Sequence, residues 1–346
     1  MRYFSLLIML SALLMTACGK PVDSQTDKKP SVSTKADGLV QLEKLWAETT
    51  PFDVSQTRLD IFDKIQGYAD DHTSTAFKYM LDYNADKYSL TVKYDNILSC
   101  YDAAFEKILD GLMTKKPANG EVYIWMLYNM GYVVQTPSMA FAIDIYHYRA
   151  AELEPYIDFY ASTHIHSDHK SEALMELMYD KGKPVITNFY EPENNYEYYS
   201  NGTKDYKIKN CSLHTFITRH NNSSTNVPVT VFQIDCGGDT GNFVMMHSGA
   251  SNFIASEYSV TQPIDVYIPR YAQSPLHENN IIGKVCEPDY VLLSHILELG
   301  HKDISESRWS LELGLERASK LDCENSYMPF WGEAMVWKNN KLSILR

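Results

Sequence analysis

The chain has 346 residues, 45% hydrophobic and 22% charged, enough to bury a sizeable core with room for one large domain and an extension. Its 44 acidic and 31 basic residues leave a formal net charge of −13. With no Lys/Arg cluster to offset that balance, a nucleic-acid partner is excluded.

The first 18 residues read as a targeting segment. Arg2 supplies a positive start, Phe4 to Ala17 is apolar, and Leu14-Met15-Thr16-Ala17-Cys18-Gly19 follows. This resembles a bacterial lipoprotein signal, which implies that Cys18 is lipidated and becomes the new N-terminus. The protein is then exported and anchored by lipid in the bacterial cell envelope, in the periplasm or at the outer membrane. No later stretch approaches the ~18 apolar residues of a spanning helix, so lipid is the expected membrane attachment. Cys100, Cys211, Cys236, Cys286 and Cys323 remain. Their odd number and lack of C-x-x-C spacing argue for buried thiols rather than a disulfide framework.

Residues 19–38 are polar and Pro-containing, the composition of a flexible tether. Residues 39–118 read as an α-helical extension: Leu59, Ile61, Phe62, Ile65 and Tyr68 recur at near-helical intervals, and Ile97, Tyr101, Ala104, Phe105, Ile108 and Leu112 do so more clearly. Pro117-Ala118-Asn119-Gly120 ends this section, and residues 119–346 read as the main domain. There the period changes to that of short strands, over 121–128, 132–136 and 140–146. A buried strand over 157–163 follows, then a polar loop, an amphipathic helix ending near Gly182 and a strand over 184–187. Such strand–loop–helix–strand units place ligands beyond the carboxyl ends of their strands. Tyr190 to Tyr206 is Tyr-rich and polar, either a substrate flap or an exposed hairpin. Strands are then predicted over 213–218, 227–235, 243–247, 264–269 and 290–294. A helix over 303–320, opened by Asp303 and Glu306 as a capping box, precedes a last hairpin of 334–337 and 342–345.

The loop is Thr163-His164-Ile165-His166-Ser167-Asp168-His169. Neutral imidazoles and a carboxylate packed this densely after a core strand suit a borderline ion such as Zn²⁺. Taken with Ala140-Phe141-Ala142-Ile143-Asp144, Val244-Met245-Met246-His247-Ser248-Gly249 and Val291-Leu292-Leu293-Ser294-His295 in that order, it resembles the metallo-β-lactamase superfamily over residues 120–346.

The resemblance implies an α/β fold, a four-layer αββα sandwich, with a metal pair on one edge. It implies that His164, His166 and a third histidine bind the first metal, with His220 the best fit and His214 its rival. Asp168, His169 and His295 would hold the second, with His301 competing for the last place and Glu298 able to orient a ligand. Asp168 is also the catalytic candidate, orienting a water or accepting its proton. His72, His147 and His277 have no counterpart. The family's bridging aspartate is replaced by Ala250, and Asp235, Asp239 and Asp265 do not match its strand end. One tight Zn²⁺ with a weak or absent second is therefore expected. The implied activity is hydrolysis of an ester, lactone, amide or phosphoester of a small molecule. Two alternatives stay open: a degenerate ligand-binding lipoprotein with the same fold, and a metal-free exported scaffold.

Overall fold

A computed structural model describes residues 35–72, 92–193, 196–220, 227–271, 281–302 and 308–346. Residues 35–346 form one compact unit. The lipoprotein-type segment, Cys18, and most of the tether lie outside the described residues, as do His277, Asp303 and Glu306.

Two seven-stranded sheets make the body. The first contains β1 (Glu121–Met126), β2 (Tyr132–Gln135), β3 (Ala140–Ile143), β4 (Phe159–Ala161) and β5 (Val185–Ile186), extended by the C-terminal hairpin β13 (Ala334–Lys338) and β14 (Lys341–Ile344). Its order is β14-β13-β1-β2-β3-β4-β5, antiparallel except for the β3–β4 and β4–β5 pairs. The second contains β6 (Lys204–Ile208), β7 (Cys211–Arg219), β8 (Pro228–Asp235), β9 (Val244–His247), β10 (Val266–Ile268), β11 (Tyr290–Leu292) and β12 (Ser326–Tyr327). Its order is β12-β11-β10-β9-β8-β7-β6, parallel from β9 to β12.

The sheets meet through buried side chains. Tyr132 Oη lies 2.7 Å from Ser294 Oγ, and Phe243 packs on Trp337 with ring centroids 5.2 Å apart. Alternation along β1 turns Val122 and Ile124 to the same face of the first sheet and Trp125 to the other. There Trp125 meets Gly111 of α3 (Leu98–Thr114). Helices α1 (Asp37–Glu48), α2 (Gln56–Asp70), α3 and α4 (Glu172–Asp180) join the same continuous apolar core. Helix α5 (Leu311–Ala318) packs on β12 and α2. The mixed two-sheet sandwich with helices is the αββα architecture expected from the sequence.

Three local readings change. Residues 308–310 are not helical: Ser310 has an extended backbone, and its side chain accepts from Leu313 N–H, so α5 starts at Leu311. Strand β6 begins in the last residues of what reads as an insertion, Tyr190 to Tyr206, and runs two residues past it. The tyrosines before it do not form a flap over the His-rich loop. Tyr196 rings pack on Tyr179 and Tyr198, Tyr196 Oη accepts from Val185 N–H, and Tyr199 bridges Thr187. They cover the edge of β5, which would otherwise present unpaired backbone groups.

Candidate metal centre

Strand β4 carries the His-rich loop out of the first sheet, and a 3-10 turn at Ser167–His169 folds it back. Ser162 N–H donates to Ile186 O, and its hydroxyl donates to His169 O at 2.8 Å, pinning both ends. His164 and His169 are buried; Ile165 between the first two histidines is 51% exposed. A loop that buries two of its three imidazoles and exposes its isoleucine is not ordered by apolar burial.

What orders it is Asp144, fully buried at the end of β3 with φ +50°. Its carboxylate accepts from Thr163 N–H at 2.7 Å and Thr163 Oγ1 at 2.8 Å, and His169 Nδ1 stands 2.7 Å from Oδ2. Thr163 Oγ1 in turn lies 3.1 Å from His164 Nδ1. One carboxylate thus orients two imidazoles, and the hold of Asp144 on His169 Nδ1 turns its Nε2 toward Asp168 Oδ2, 3.2 Å away. Gly249, at φ +49°, lets the backbone after β9 press on Thr163: a Cβ there would sit 2.3 Å from Thr163 Oγ1.

The second sheet supplies the rest. His220 follows β7, and its N–H donates to Val227 O. His295 follows β11 at φ +65°, its N–H donating to Asn129 O. Asn129, itself at φ +55°, donates from Nδ2 to Asp168 Oδ2 at 2.9 Å. Non-glycine residues held at positive φ are costly, and they gather here at Asn129, Asp144 and His295. Two groups result. Ligand atoms of His164, His166 and His220 lie within 4.8 Å of one another, and so do those of Asp168, His169 and His295.

Burial, then neighbouring positive charge, pushes His164 well below the usual imidazole range and His220 down to about 3; His166 and His295 also shift downward through burial. Burial thus favours the neutral form of these rings, whose lone pairs a metal ion needs. Burial works against charge on His169 too, but Asp168 and Asp144 outweigh it and hold the ring up at about 10. Burial likewise opposes charge on Asp168, yet His169 and His295 keep it well below the carboxylate range. His164 Nε2 and His220 Nδ1 are buried without a hydrogen-bond partner among the described residues. Each such atom costs about 1–3 kcal/mol. A three-histidine donor set with orphaned nitrogens fits a metal ion.

The rivals stand elsewhere. His214 pairs with Asp205 at 2.7 Å across β6 and β7. His301 Nδ1 lies 2.9 Å from Glu298 Oε2, whose other oxygen accepts from Tyr128 Oη and Gly300 N–H. Glu298 therefore orders its own loop and contacts neither group. His147 is stacked on Phe105 at 4.2 Å, and His72 O accepts from Arg308. Asp235 accepts from Gly237 N–H and Asp265 from Val244 N–H, while Asp239 O accepts from Gly120 N–H. None of these three carboxylates joins either group. Ala250 is fully buried.

The sequence reading missed three residues, Asp144 as an orienting group, Asn129 and Arg270. Arg270 follows β10 and is 9% exposed. It donates from Nε to Ser251 O at 3.0 Å and from Nη2 to His220 O at 2.8 Å. Its charge reaches His166, His220 and His295.

No family model matches the chain, and no curated protein does. Solved structures do. The chain is similar to Igni18, a metallo hydrolase from Ignicoccus hospitalis, at 15% identity and TM-score 0.45, over 63% of this chain and 99% of that one. It is similar to the metallo-β-lactamase fold protein YhfI from Bacillus subtilis, at 12% identity and TM-score 0.38, over 63% and 98%. CmlA, a diiron β-hydroxylase from Streptomyces venezuelae, is similar at 11% identity and TM-score 0.41, over 66% and 55%.

Proposed function

We propose that this chain is a metal-dependent hydrolase of the metallo-β-lactamase superfamily. Its tight site would be a Zn²⁺ held by His164, His166 and His220. Asp168, His169 and His295 would form a weaker second site, because Ala250 supplies no bridging carboxylate. The observation that carries this is the convergence of three imidazoles, two with orphaned buried nitrogens.

A bound Zn²⁺ supplies Lewis acidity and makes water a nucleophile at neutral pH. The remaining roles fall to the chain. Asp144 fixes His169 and, through Thr163, His164. Asn129 holds the Asp168 carboxylate. Asp168, whose carboxyl His169 and His295 hold well below the usual range, would orient the attacking water or accept its proton. The substrate is a small-molecule ester, lactone, amide or phosphoester.

The reading extends to location: Cys18 is lipidated, and the protein is exported and held at the bacterial envelope by that lipid alone. Mass spectrometry of the membrane fraction should find a diacylated Cys18 as N-terminus. A soluble chain still carrying Met1 to Ala17 would overturn that part.

Metal analysis of the purified protein tests the hydrolase reading and also reports the identity of the metal. Close to one tightly bound Zn²⁺ per chain is expected, with chelator-sensitive ester or phosphodiester turnover that disappears in His166→Ala. No metal after Zn²⁺ addition, or turnover indifferent to chelation, would sink the proposal.

A further inference from the structure

Arg270 is a buried guanidinium with no salt-bridged carboxylate among the described residues. Its hydrogen bonds go to two backbone carbonyls, Ser251 O and His220 O, and no acidic side chain lies within 4.0 Å among the described residues. Desolvating a cation is costly unless an anion pairs with it, and burial pushes even this guanidinium down to about 10. Another buried arginine, Arg58, is by contrast paired with Glu333.

The place of Arg270 is set by backbone. Ser294 N–H donates to Pro269 O, Tyr271 N–H donates to Ser294 O, and Arg270 bridges Ser294 in parallel. The residue is thereby locked beside His295, while its side chain crosses to the carbonyl of His220. It spans the two histidine groups, and its Nε is anchored one residue from Ala250, where the expected carboxylate is missing. Neither of its two hydrogen bonds engages Nη1.

We infer that Arg270 is the specificity-determining residue of this site, and that the substrate is a small anionic ester whose oxyanion pairs with its guanidinium. The anion comes from substrate instead of protein, so the site gains its full set of charge-assisted hydrogen bonds only when loaded. Arginine suits this task because its planar fork matches phosphoryl and carboxylate oxygens. The same fixed cation repels a second metal ion, in keeping with the loss of the carboxylate at position 250. The inference rests on the hydrolase reading for the word ester, though not for the anion site itself.

Two measurements test it on the Zn²⁺-loaded full chain. The first is calorimetric binding of inorganic phosphate to the unmodified protein, Arg270→Met and Arg270→Lys, with circular dichroism confirming the fold. Phosphate should bind at least ~10-fold more weakly to Arg270→Met, with Arg270→Lys in between. The second compares kcat/KM for bis(p-nitrophenyl) phosphate, p-nitrophenyl hemisuccinate and p-nitrophenyl acetate. The ratio of an anionic to the neutral ester should fall about 10- to 100-fold in Arg270→Met. Which anionic ester falls more assigns the oxyanion as phosphoryl or carboxylate. Phosphate affinity within twofold of the unmodified protein, or an equal loss on charged and neutral esters, would overturn the inference and leave Arg270 a brace for the His220 loop. If no ester is turned over while phosphate binding still depends on Arg270, the anion site stands and the hydrolase reading fails.

Discussion

Arg58 and Arg270 are both buried, one in the helical seam and one at the metal centre, and they differ in what answers their charge. Arg58 on α2 makes a bidentate pair with Glu333, at 2.6 and 2.7 Å, and also donates to Thr49 Oγ1 and Met328 O. Glu333 completes the set by accepting from Phe330 N–H. Arg270 has carbonyl partners and, among the described residues, no salt-bridged counterion. The satisfied pair ties residues 275 positions apart and holds the N-terminal helices to the C-terminal hairpin. The other lies between His220, whose carbonyl it meets, and Ser294 next to His295. A buried charge with its counterion in place is architecture; one without a salt-bridged counterion beside two histidine groups is a candidate for a site.

The largest effect should come from breaking the satisfied pair. In Glu333→Ala the Arg58 guanidinium stays buried without its anion, a loss of about 3–5 kcal/mol. Thermal unfolding should show a clear fall in Tm. Arg270→Met should behave in the opposite way, leaving stability near that of the unmodified protein or above it, because it removes a poorly answered charge. Equal losses from the two substitutions would erase the distinction between the two arginines.

Metal removal comes next. An ion that binds only the folded protein stabilises it by about 3–4 kcal/mol at 100 to 1,000 times its dissociation constant. Chelation should therefore lower Tm by an amount that returns with Zn²⁺. His166→Ala should show neither the fall nor the recovery. A chelator effect of full size in that variant would place the ion elsewhere.

A smaller effect is expected at Asp144, which touches the ligands without joining either group. Asp144→Asn keeps the shape of the side chain but loses its charge against His169 Nδ1. Removing such an outer partner typically costs 10- to 100-fold in metal affinity. Competition with a chromophoric chelator should show the weaker binding, and a variant that binds as tightly as the unmodified chain would deny Asp144 its orienting part.

These residues also show why the sequence was only partly legible. The His-rich loop could be read because its ligand types are contiguous and follow a buried strand, and His220 and His295 because each ends a strand. Asp144 could be placed at a strand end, but its hold on Thr163 and His169 depends on the β3–β4 register. Arg270 had no local signal. It is a single arginine after Ile268-Pro269, and only the parallel β9–β10–β11 order brings it beside Ser294 and His295. Strand β6 was hidden for a related reason. In Lys204-Asp205-Tyr206-Lys207-Ile208 the exposed Asp205 and Lys207 alternate with the more buried Tyr206 and Ile208. Such charge suits an edge strand, and the segment's polar residues resemble the loop before it.

The smallest effect is expected at Ala250, where the comparison of the two arginines becomes quantitative. Ala250→Asp restores a carboxylate next to Ser251, the residue whose carbonyl anchors Arg270. A second ion should then bind, raising the zinc content from about one toward two. The gain should be partial, on the order of tenfold in affinity for that ion, about 1.4 kcal/mol. The new carboxylate is shared between a metal and a guanidinium already in place, and burial makes it favour whichever cation is closer. Pairing Ala250→Asp with Arg270→Met removes that competitor, so the double variant should hold the second ion more tightly than Ala250→Asp alone. The coupling between the two positions, read from the four zinc titrations of the cycle, measures how far Arg270 stands in for the second metal. Additive effects would mean that the guanidinium and the second ion do not compete for the same place.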